Sequence, residues 1–389
     1  MRVSSSPCRD LLEKLGSPQK TLRTVHVTGS KGKGSVVALI ASALQQEGFR
    51  TGCFCSPHVN RVNERVLIDL DECDDDLLAK SLESVLDVRA KYELHSSTWF
   101  DSLAAAGLAL LAEEKVDWAI VEVGLGGRLD STNVLDSEFC VITNIMLEHQ
   151  AIIGPGRREI AYEKAGIIRK RGCSVIIGVQ PSDSEVVEQI MKCAADAQAL
   201  EPVFVPALKP SESFTEVNAR IAASTLEEMG HRGVVSKRTG AALTGALINN
   251  DLRNRASKVL KGRMELLEYK GVPVVIDGAH VPESVRAAVS EAHVQNYGIG
   301  PQVLLIAVGS DKDEKAIASK ALEAQVPFHR IVTTRIGKSS RYTSSAQVNA
   351  VHLNTSLAWL FSSSLPRSGE DPPVTTVIGG SVRATVISI

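Results

Sequence analysis

The stretch "VHVTGSKGKGSVVALIASAL", residues 25–44, constrains the fold more than any other part of the sequence. It reads as an apolar strand ending at Thr28, a turn rich in glycine and lysine, and a helix. Glycines let backbone N–H groups close on phosphate oxygens, and the positive end of the following helix favours anions. The spacing departs from the common pattern G-x-x-x-x-G-K-[ST], because Val27 stands at the first glycine position and Gly34 follows Lys33. The residues therefore favour a phosphate-binding loop with a different spacing of its glycines and lysine. A simple glycine turn with solvated lysines is the alternative.

Strands alternate with helical stretches along the chain. Three runs are almost without polar breaks, as in parallel strands covered on both faces: "VDWAIVEVG", "FCVITNI" and "CSVIIGV". Polar and glycine residues follow the first two at their carboxyl ends, where open doubly wound sheets bind ligands. We therefore predict an α/β fold with a doubly wound, P-loop ATPase-like first domain over residues 1–258. A new strand set from "KGRMELLEYKGVPVVIDGAH" onward predicts a second, smaller Rossmann-like α/β domain over residues 259–389.

The composition excludes several classes of function. With a net charge of −2, the chain has no bulk attraction to nucleic acid or anionic membranes, and no apolar run reaches the roughly 20 residues that span a bilayer. Its seven cysteines form no paired metal-binding pattern, which favours reduced thiols in an intracellular protein. We expect small-molecule substrates, no nucleic-acid or membrane partner, a monomer and a cytoplasmic location. A mitochondrial location is the alternative, because the first residues contain several serines and arginines.

Three ionisable residues of the first domain are candidates for chemistry. Glu122 ends an otherwise apolar strand, where an ionised carboxylate is costly unless it is paired or bound to a cation. It is either a metal ligand or a strand-end side chain that reaches solvent. His149 follows the next strand and is either a metal ligand or simply solvated. Lys164, taken alone, predicts an exposed helical ion pair with the adjacent Glu163.

Arg263, Asp277 and His280 surround the first strand of the second domain. A cation, an acid and a base at this place predict a ligand site at the cleft between the domains. Capping of the next helix by Asp277, with the other two side chains solvated, is an equal alternative on the residues alone.

A series of motifs resembles one known family. In chain order they are "HVTGSKGKGS", "SPHVNRVNER", "VEVGLGGRLDSTN", "TNIMLEHQAIIG", "IAYEKAGIIR", "NARIAA", "KGRMELL" and "DGAHVPES". The series, which covers roughly residues 10 to 290, is similar to that of the dihydrofolate synthase and folylpolyglutamate synthase family, within the Mur ligase superfamily. The family's loop has the form G-[ST]-x-G-K-G-S, which accounts for the unusual spacing. The resemblance implies a Mur-ligase-type ATP-binding domain followed by a C-terminal domain of the glutamate-ligase type.

The resemblance also implies roles for individual residues. Those implied to bind ATP are Gly29, Ser30, Lys31, Gly32, Lys33, Gly34, Ser35, Asn218, Arg263, Asp277 and His280. Those implied to hold Mg²⁺ are Ser56, Glu122, His149 and Lys164, the last in its carbamylated form. Lys33, Lys164 and His149 are the implied catalytic residues, and Thr98, Phe100 and Asp130 match positions that line a pterin site. Two positions depart from the family's usual pattern, with Glu148 in place of aspartate and Val281 in place of asparagine.

The implied reaction is ATP-dependent amide formation with ATP and Mg²⁺ as cofactors. ATP phosphorylates the carboxylate of dihydropteroate or of a folate, and the amine of L-glutamate attacks the acyl phosphate. The loop "GLGGRLDSTN" is more similar to the dihydrofolate synthase and bifunctional forms, so dihydrofolate synthase is the first expectation. Folylpolyglutamate synthase, alone or as a second activity, is the alternative. A non-catalytic nucleotide-binding relative is a weaker one, and a ligase for cell-wall precursors lacks support in the pterin-type motif "TWFD".

Overall fold

The computed structural model describes residues 5–206, 213–269, 272–279, 282–295, 302–309, 314–324, 326, 328–336 and 375–379. The chain divides into two compact units. The first contains the described residues up to Pro57 together with Val62–Val259, and the second contains His58–Arg61 with the described residues from Leu260 onward. Assignment of these units to Mur-ligase-type and glutamate-ligase-type domains stays a prediction.

The first unit is built on a sheet of eight strands. These are β1 (Thr24–Thr28), β2 (Thr51–Phe54), β3 (Val66–Ile68), β4 (Asp71–Glu72), β5 (Trp118–Glu122), β6 (Phe139–Ile142), β7 (Ser174–Ile177) and β8 (Val203–Phe204). Their order is β4-β3-β2-β5-β1-β6-β7-β8, with antiparallel pairing only at β3 and β4. Strand β1 therefore lies between β5 and β6, and the three carboxyl ends meet at one edge of the sheet.

The helices of the first unit cover both faces of this sheet. They are α1 (Ser6–Lys14), α2 (Lys33–Gln46), α3 (Asp75–Lys91), α4 (Trp99–Glu113), α5 (Gln150–Ile153), α6 (Arg157–Ala165), α7 (Ser184–Asp196), α8 (Phe214–His231) and α9 (Asn250–Ala256). Short 3₁₀ turns span Pro18–Thr21, Val62–Arg65 and Gly245–Leu247. Among the residues that the structure describes, no helix is both long and apolar enough to cross a membrane.

Two apolar clusters form much of the first unit's core. One joins α1, α3 and α4 to β2 and β5, through side chains such as Leu11 and Leu108. The other joins α6 and α7 to β6 and β7, through side chains such as Ile160 and Ile190. Because the sheet is buried from both sides, its strands read as continuous apolar runs in the sequence.

The second unit contains a five-stranded sheet. Its strands are β9 (Glu265–Tyr269), β10 (Val272–Asp277), β11 (Gln302–Gly309), β12 (Phe328–Ile336) and β13 (Thr375–Gly379), in the order β12-β11-β13-β10-β9. Only β9 pairs in the antiparallel sense. Helices α10 (Pro282–Gln295) and α11 (Glu314–Leu322) pack on it through residues such as Val285, Val289 and Ile317.

Both sheets are mostly parallel and covered by helices, which confirms the predicted α/β class. Helix α8 does not continue into α9, because Gly233 and Gly240 take positive φ angles of 82° and 73°, which a right-handed helix does not contain. Helix α6 ends at Ala165. A side chain at Gly166 would collide with Arg128, so the chain leaves the helix in close contact with that residue.

Candidate active site

Two glycines of the loop after β1 lie in close contact with side chains from other segments. Gly29 has a φ of +143°, and a Cβ at this position would collide with the hydroxyl of Thr143. Gly32 has a φ of +81°, and a Cβ there would collide with the side-chain oxygen of Asn218. Both positions therefore require glycine for conformation and for space. Asn218 itself is buried in α8, so the loop is packed directly against that helix.

The loop is also held by the segment that follows β6. The backbone N–H of Ser30 donates to the Asn144 carbonyl (3.0 Å), and that of Lys31 donates to Asn144 Oδ1 (2.9 Å). The Thr143 hydroxyl donates to the Lys31 carbonyl (2.6 Å). Helix α2 begins at Lys33, directly after this braced turn, and the first N–H groups of a helix lack intrahelical acceptors. The local structure thus offers a preorganised, positively polarised end to an anion.

Lys33, Lys164 and Glu148 form a charged cluster beside the loop. Lys33 Nζ donates to the Gly29 carbonyl (3.0 Å), and Lys164 Nζ lies 2.9 Å from Glu148 Oε1. Burial, reinforced by the nearby charge of Lys33, lowers the pKa of Lys164 to about 8. Burial alone would raise the pKa of Glu148, but the charges of Lys164 and Lys33 bring it below its ordinary value. Two cations and one anion that act on one another in a partly buried cluster carry a net positive charge, which suits an anionic ligand.

The expected exposed ion pair between Lys164 and Glu163 is wrong. Lys164 is only 1% exposed and pairs with Glu148, whereas Glu163 accepts from Arg128 Nε (2.9 Å). The reason is that Lys164 lies on the inner side of α6, where its ammonium group needs a buried partner.

Glu122 and Ser56 lie together at the carboxyl ends of β5 and β2. Glu122 is 3% exposed, and its Oε2 accepts from the backbone N–H of Ser56 (2.9 Å). His149 is exposed and stands directly before α5 with a φ of +47°. Within the described ranges no three His, Cys, Asp or Glu side chains are grouped to hold a metal. Of these residue types the predicted metal site contains only Glu122 and His149. The carboxylate oxygens of Glu122 and the hydroxyl oxygen of Ser56 are of the kind that Mg²⁺ prefers, and this ion commonly keeps waters and phosphate oxygens as further ligands.

Thr98, Phe100 and Asp130 are predicted to line a pterin site, and the structure brings the last two together. A Cβ at Gly124 would lie 2.6 Å from Phe100 Cζ and 3.1 Å from Asp130 Oδ2, so both side chains adjoin the backbone after β5. Thr98 caps α4, where its hydroxyl accepts from the Asp101 N–H (3.1 Å) and donates to Asp101 Oδ2 (2.7 Å). The three residues thus belong to one region at the carboxyl end of β5 and the start of α4.

Asp130 takes part in a buried chain of hydrogen bonds that sequence reasoning missed. Its Oδ2 accepts from the Leu125 N–H (2.8 Å), and its Oδ1 accepts from the Thr132 hydroxyl (2.6 Å). Thr132 Oγ1 also lies 2.9 Å from Nε2 of His26 in β1. Because that hydroxyl gives its only hydrogen to Asp130, we assign the proton of the neutral imidazole to Nε2. Burial raises the pKa of Asp130 and lowers that of His26 to about 3.

In the second unit, Asp277 organises the turn around β10. Its Oδ2 accepts from the Met264 N–H (3.0 Å) and its Oδ1 from the Ala279 N–H (2.9 Å). Arg263 adjoins the same turn, with Nη1 3.6 Å from the place of a Cβ at Gly278. His280 and Val281 lie outside the described residues. The roles of Arg263 and Asp277 in nucleotide binding stay predictions.

Comparison with known proteins identifies the family. The dihydrofolate synthase/folylpolyglutamate synthase of Bacillus subtilis (strain 168) is 33% identical over 299 residues, which cover 72% of this chain and 69% of the relative. The chain belongs to the dihydrofolate synthase/folylpolyglutamate synthase family. The folylpolyglutamate synthase of Lacticaseibacillus casei is 29% identical over 407 residues, or 97% of this chain and 93% of the relative. No family model matches the sequence.

A solved structure confirms the fold of this family for the chain. It is described as a folylpolyglutamate synthase complex with AMPPCP and folate, and it aligns with a TM-score of 0.71 and 25% identity over 98% of this chain and 94% of the other. The predicted resemblance and the predicted enzyme class are confirmed. Members of the dihydrofolate synthase/folylpolyglutamate synthase family are ATP-dependent ligases of acids and amino acids, and this chain is one of them.

Proposed function

We propose that the protein joins L-glutamate to the carboxylate of dihydropteroate, with ATP and Mg²⁺, through an acyl phosphate. The observation that carries this proposal is the hydrogen-bonded glycine loop with the partly buried cluster of Lys33, Lys164 and Glu148 beside it. Extension of a folate by glutamate, alone or as a second activity, is the alternative, because the Bacillus subtilis relative carries both names.

The site residues are proposed to act mainly by positioning and charge. Lys33, at the start of α2, donates to phosphate oxygens together with the N–H groups of that helix, and so stabilises the charge that shifts during phosphoryl transfer. Glu122 and Ser56 would hold Mg²⁺, which would neutralise negative charge on the phosphates. The amine of glutamate then displaces phosphate from the acyl phosphate, and the amide forms.

Lys164 is proposed to become an oxygen ligand by carbamylation. Only a neutral amine reacts with carbon dioxide, and a pKa of about 8 leaves part of the Lys164 side chains neutral near physiological pH. The amine nitrogen bonds to the carbon of carbon dioxide and releases one proton, so the product is an anion beside Glu148, and two neighbouring, poorly solvated anions would require a compensating cation. This chemistry agrees with a divalent metal at this end of the sheet. We further propose a monomer in the cytoplasm, in keeping with seven cysteines that are all free thiols.

A substrate profile of the purified protein tests the proposal. The protein is supplied with MgATP and L-glutamate and with either dihydropteroate or tetrahydrofolate, and phosphate release is measured beside product mass. Glutamylated product from dihydropteroate is expected. Product from tetrahydrofolate alone would replace the proposal by its alternative. ATP binding without phosphate release on any acceptor would indicate a non-catalytic relative.

A further inference from the structure

The side chains predicted to meet the acceptor's ring are already engaged within the protein. The Thr98 hydroxyl both accepts and donates in the cap of α4. Phe100 packs on Phe54 with ring centroids 6.1 Å apart and fills the space beside Gly124. Asp130 is 4% exposed, and both of its oxygens accept hydrogen bonds from its own loop. These residues give the region its shape, and of their side chains only the partly buried ring of Phe100 offers apolar surface to a flat ligand.

Trp99, which lies between Thr98 and Phe100 in the sequence, offers such a surface. Its side chain is 60% exposed at the first position of α4. The guanidinium of Arg65 lies 5.2 Å from the Trp99 ring centroid and 5.8 Å from that of Phe100. Arg65 itself is only 7% exposed, so the cation that holds the indole is fixed in the protein. Because Arg65 already holds the Trp99 ring in place, the side chain loses little conformational entropy when a ligand stacks on the ring.

Arg65 also connects this aromatic pair with the proposed metal site. Burial lowers the pKa of Arg65, and the nearby negative charge of Glu122 opposes that shift. The same guanidinium thus adjoins the Trp99 and Phe100 rings and lies within electrostatic reach of the carboxylate proposed to hold Mg²⁺. The charge of Glu122 therefore acts on the same guanidinium that contacts the indole.

We propose that the indole of Trp99 is the surface on which the pteridine ring of the acceptor stacks, with Arg65 as the residue that positions it. This inference rests on the proposed function, since it requires a pterin-containing acceptor. Offset stacking of a heterocycle on an indole adds dispersion and electrostatic attraction beyond simple burial. By comparison with aromatic stacking of nucleic-acid bases, removal of the ring is expected to weaken acceptor binding about tenfold.

Acrylamide quenching of tryptophan fluorescence tests the contact directly. Trp118 is fully buried, and Trp359 lies outside the described residues. Fluorescence lifetimes are measured with and without dihydropteroate, in the presence of MgAMPPCP. Lifetimes are used instead of intensities because light absorption by the pterin does not distort them. Dihydropteroate is expected to protect wild-type protein from acrylamide. In the Trp99→Phe variant the ligand should leave acrylamide quenching unchanged, which assigns the protection to Trp99.

Steady-state kinetics of Trp99 variants give a second, independent test of the stacking contact. Trp99→Ala should raise the KM for dihydropteroate about tenfold, with the KM values for MgATP and glutamate unchanged, whereas Trp99→Phe should stay within about threefold because it keeps a stacking ring. Tyr92→Ala is the matched control, since Tyr92 is another exposed aromatic side chain (42%) that ends α3 beside Lys91 and Lys14.

The possible results separate the two proposals. An unchanged acceptor KM in Trp99→Ala, or no protection by dihydropteroate in a wild-type protein that turns it over, would refute the role of Trp99 alone. Similar increases in all three KM values would also refute it, because they indicate general loss of structure. Failure of the wild-type protein to glutamylate either pterin acceptor would overturn the proposed function and this inference together.

Discussion

His26 should make the first unit sensitive to acid in a way that one substitution removes. Burial lowers the pKa of this histidine from its ordinary value of 6.5 to about 3. As the pH falls below 6.5, the unfolded chain binds a proton at this position and the folded chain does not, so stability is lost between pH 6.5 and about 3. One pKa unit corresponds to about 1.36 kcal/mol, so the 1.5 units between 6.5 and pH 5 correspond to a loss of about 2 kcal/mol.

The variant His26→Gln isolates this contribution. Its amide N–H replaces the Nε2–H donor to Thr132, and it does not titrate. Loss of ring packing lowers its stability at both pH values and cancels in the comparison. Urea unfolding of both proteins is measured at pH 7 and pH 5, with hydrogen exchange of the β1 amides as a readout of the first unit. The wild-type protein should lose about 2 kcal/mol more than the variant between these pH values.

A matched control and a clear negative result complete the test. His231→Gln replaces a histidine that is 68% exposed on α8, and it should keep the wild-type dependence on pH. If His26→Gln and the wild-type protein lose the same stability between pH 7 and pH 5, then His26 is not held neutral, and the proton assignment along His26, Thr132 and Asp130 fails.

Three further substitutions test the candidate site. Lys33→Ala should lower kcat by at least about a hundredfold with unfolding unchanged, since a loop lysine supplies charge rather than core packing, and near-normal turnover would contradict a phosphate role. Glu122→Gln should raise the Mg²⁺ concentration for half-maximal activity by about tenfold or more, and an unchanged titration would remove Glu122 from the metal site. Gly32→Ala should weaken ATP binding because its Cβ collides with Asn218, whereas Gly16→Ala, which has a similar positive φ but open space, should bind ATP as the wild type does.

The sequence predicts those parts of the structure that depend on local pattern. The strand, glycine turn and helix around Lys33 are found as predicted, because apolar period and turn residues act within a short stretch. Burial of Lys164 could not be predicted in this way. Its partner Glu148 lies 16 residues away, and only the packing of α6 on the sheet turns the ammonium inward.

Distance along the chain explains the other residues that sequence reasoning missed. The bond between His26 and Thr132 spans 106 residues, so no motif reveals it. The family pattern marks Thr98 and Phe100 and not Trp99, so this pattern gives no reason to choose the indole over its neighbours. A weak signal for Trp99 was present, since a tryptophan at the first turn of an apolar helix has no core position to fill, but its contact with Arg65 depends on the folded turn before β3.

The position of β1 in the middle of the sheet has a consequence for synthesis on the ribosome. Val25 pairs with Ile120 of β5 and with Phe139 of β6, so the first neighbour of the strand is made only about 95 residues later and the second about 114 residues later. Such long-range parallel pairing is slow and leaves apolar strands open to aggregation. The glycine loop reaches its final packing later still, because Asn218, which packs against Gly32, is synthesised after β5 and β6. The glycine loop is therefore among the last parts of the first unit to reach its final form, although it is made before β5, β6 and α8. Nascent chains that do not yet contain Asn218 are expected to need chaperones.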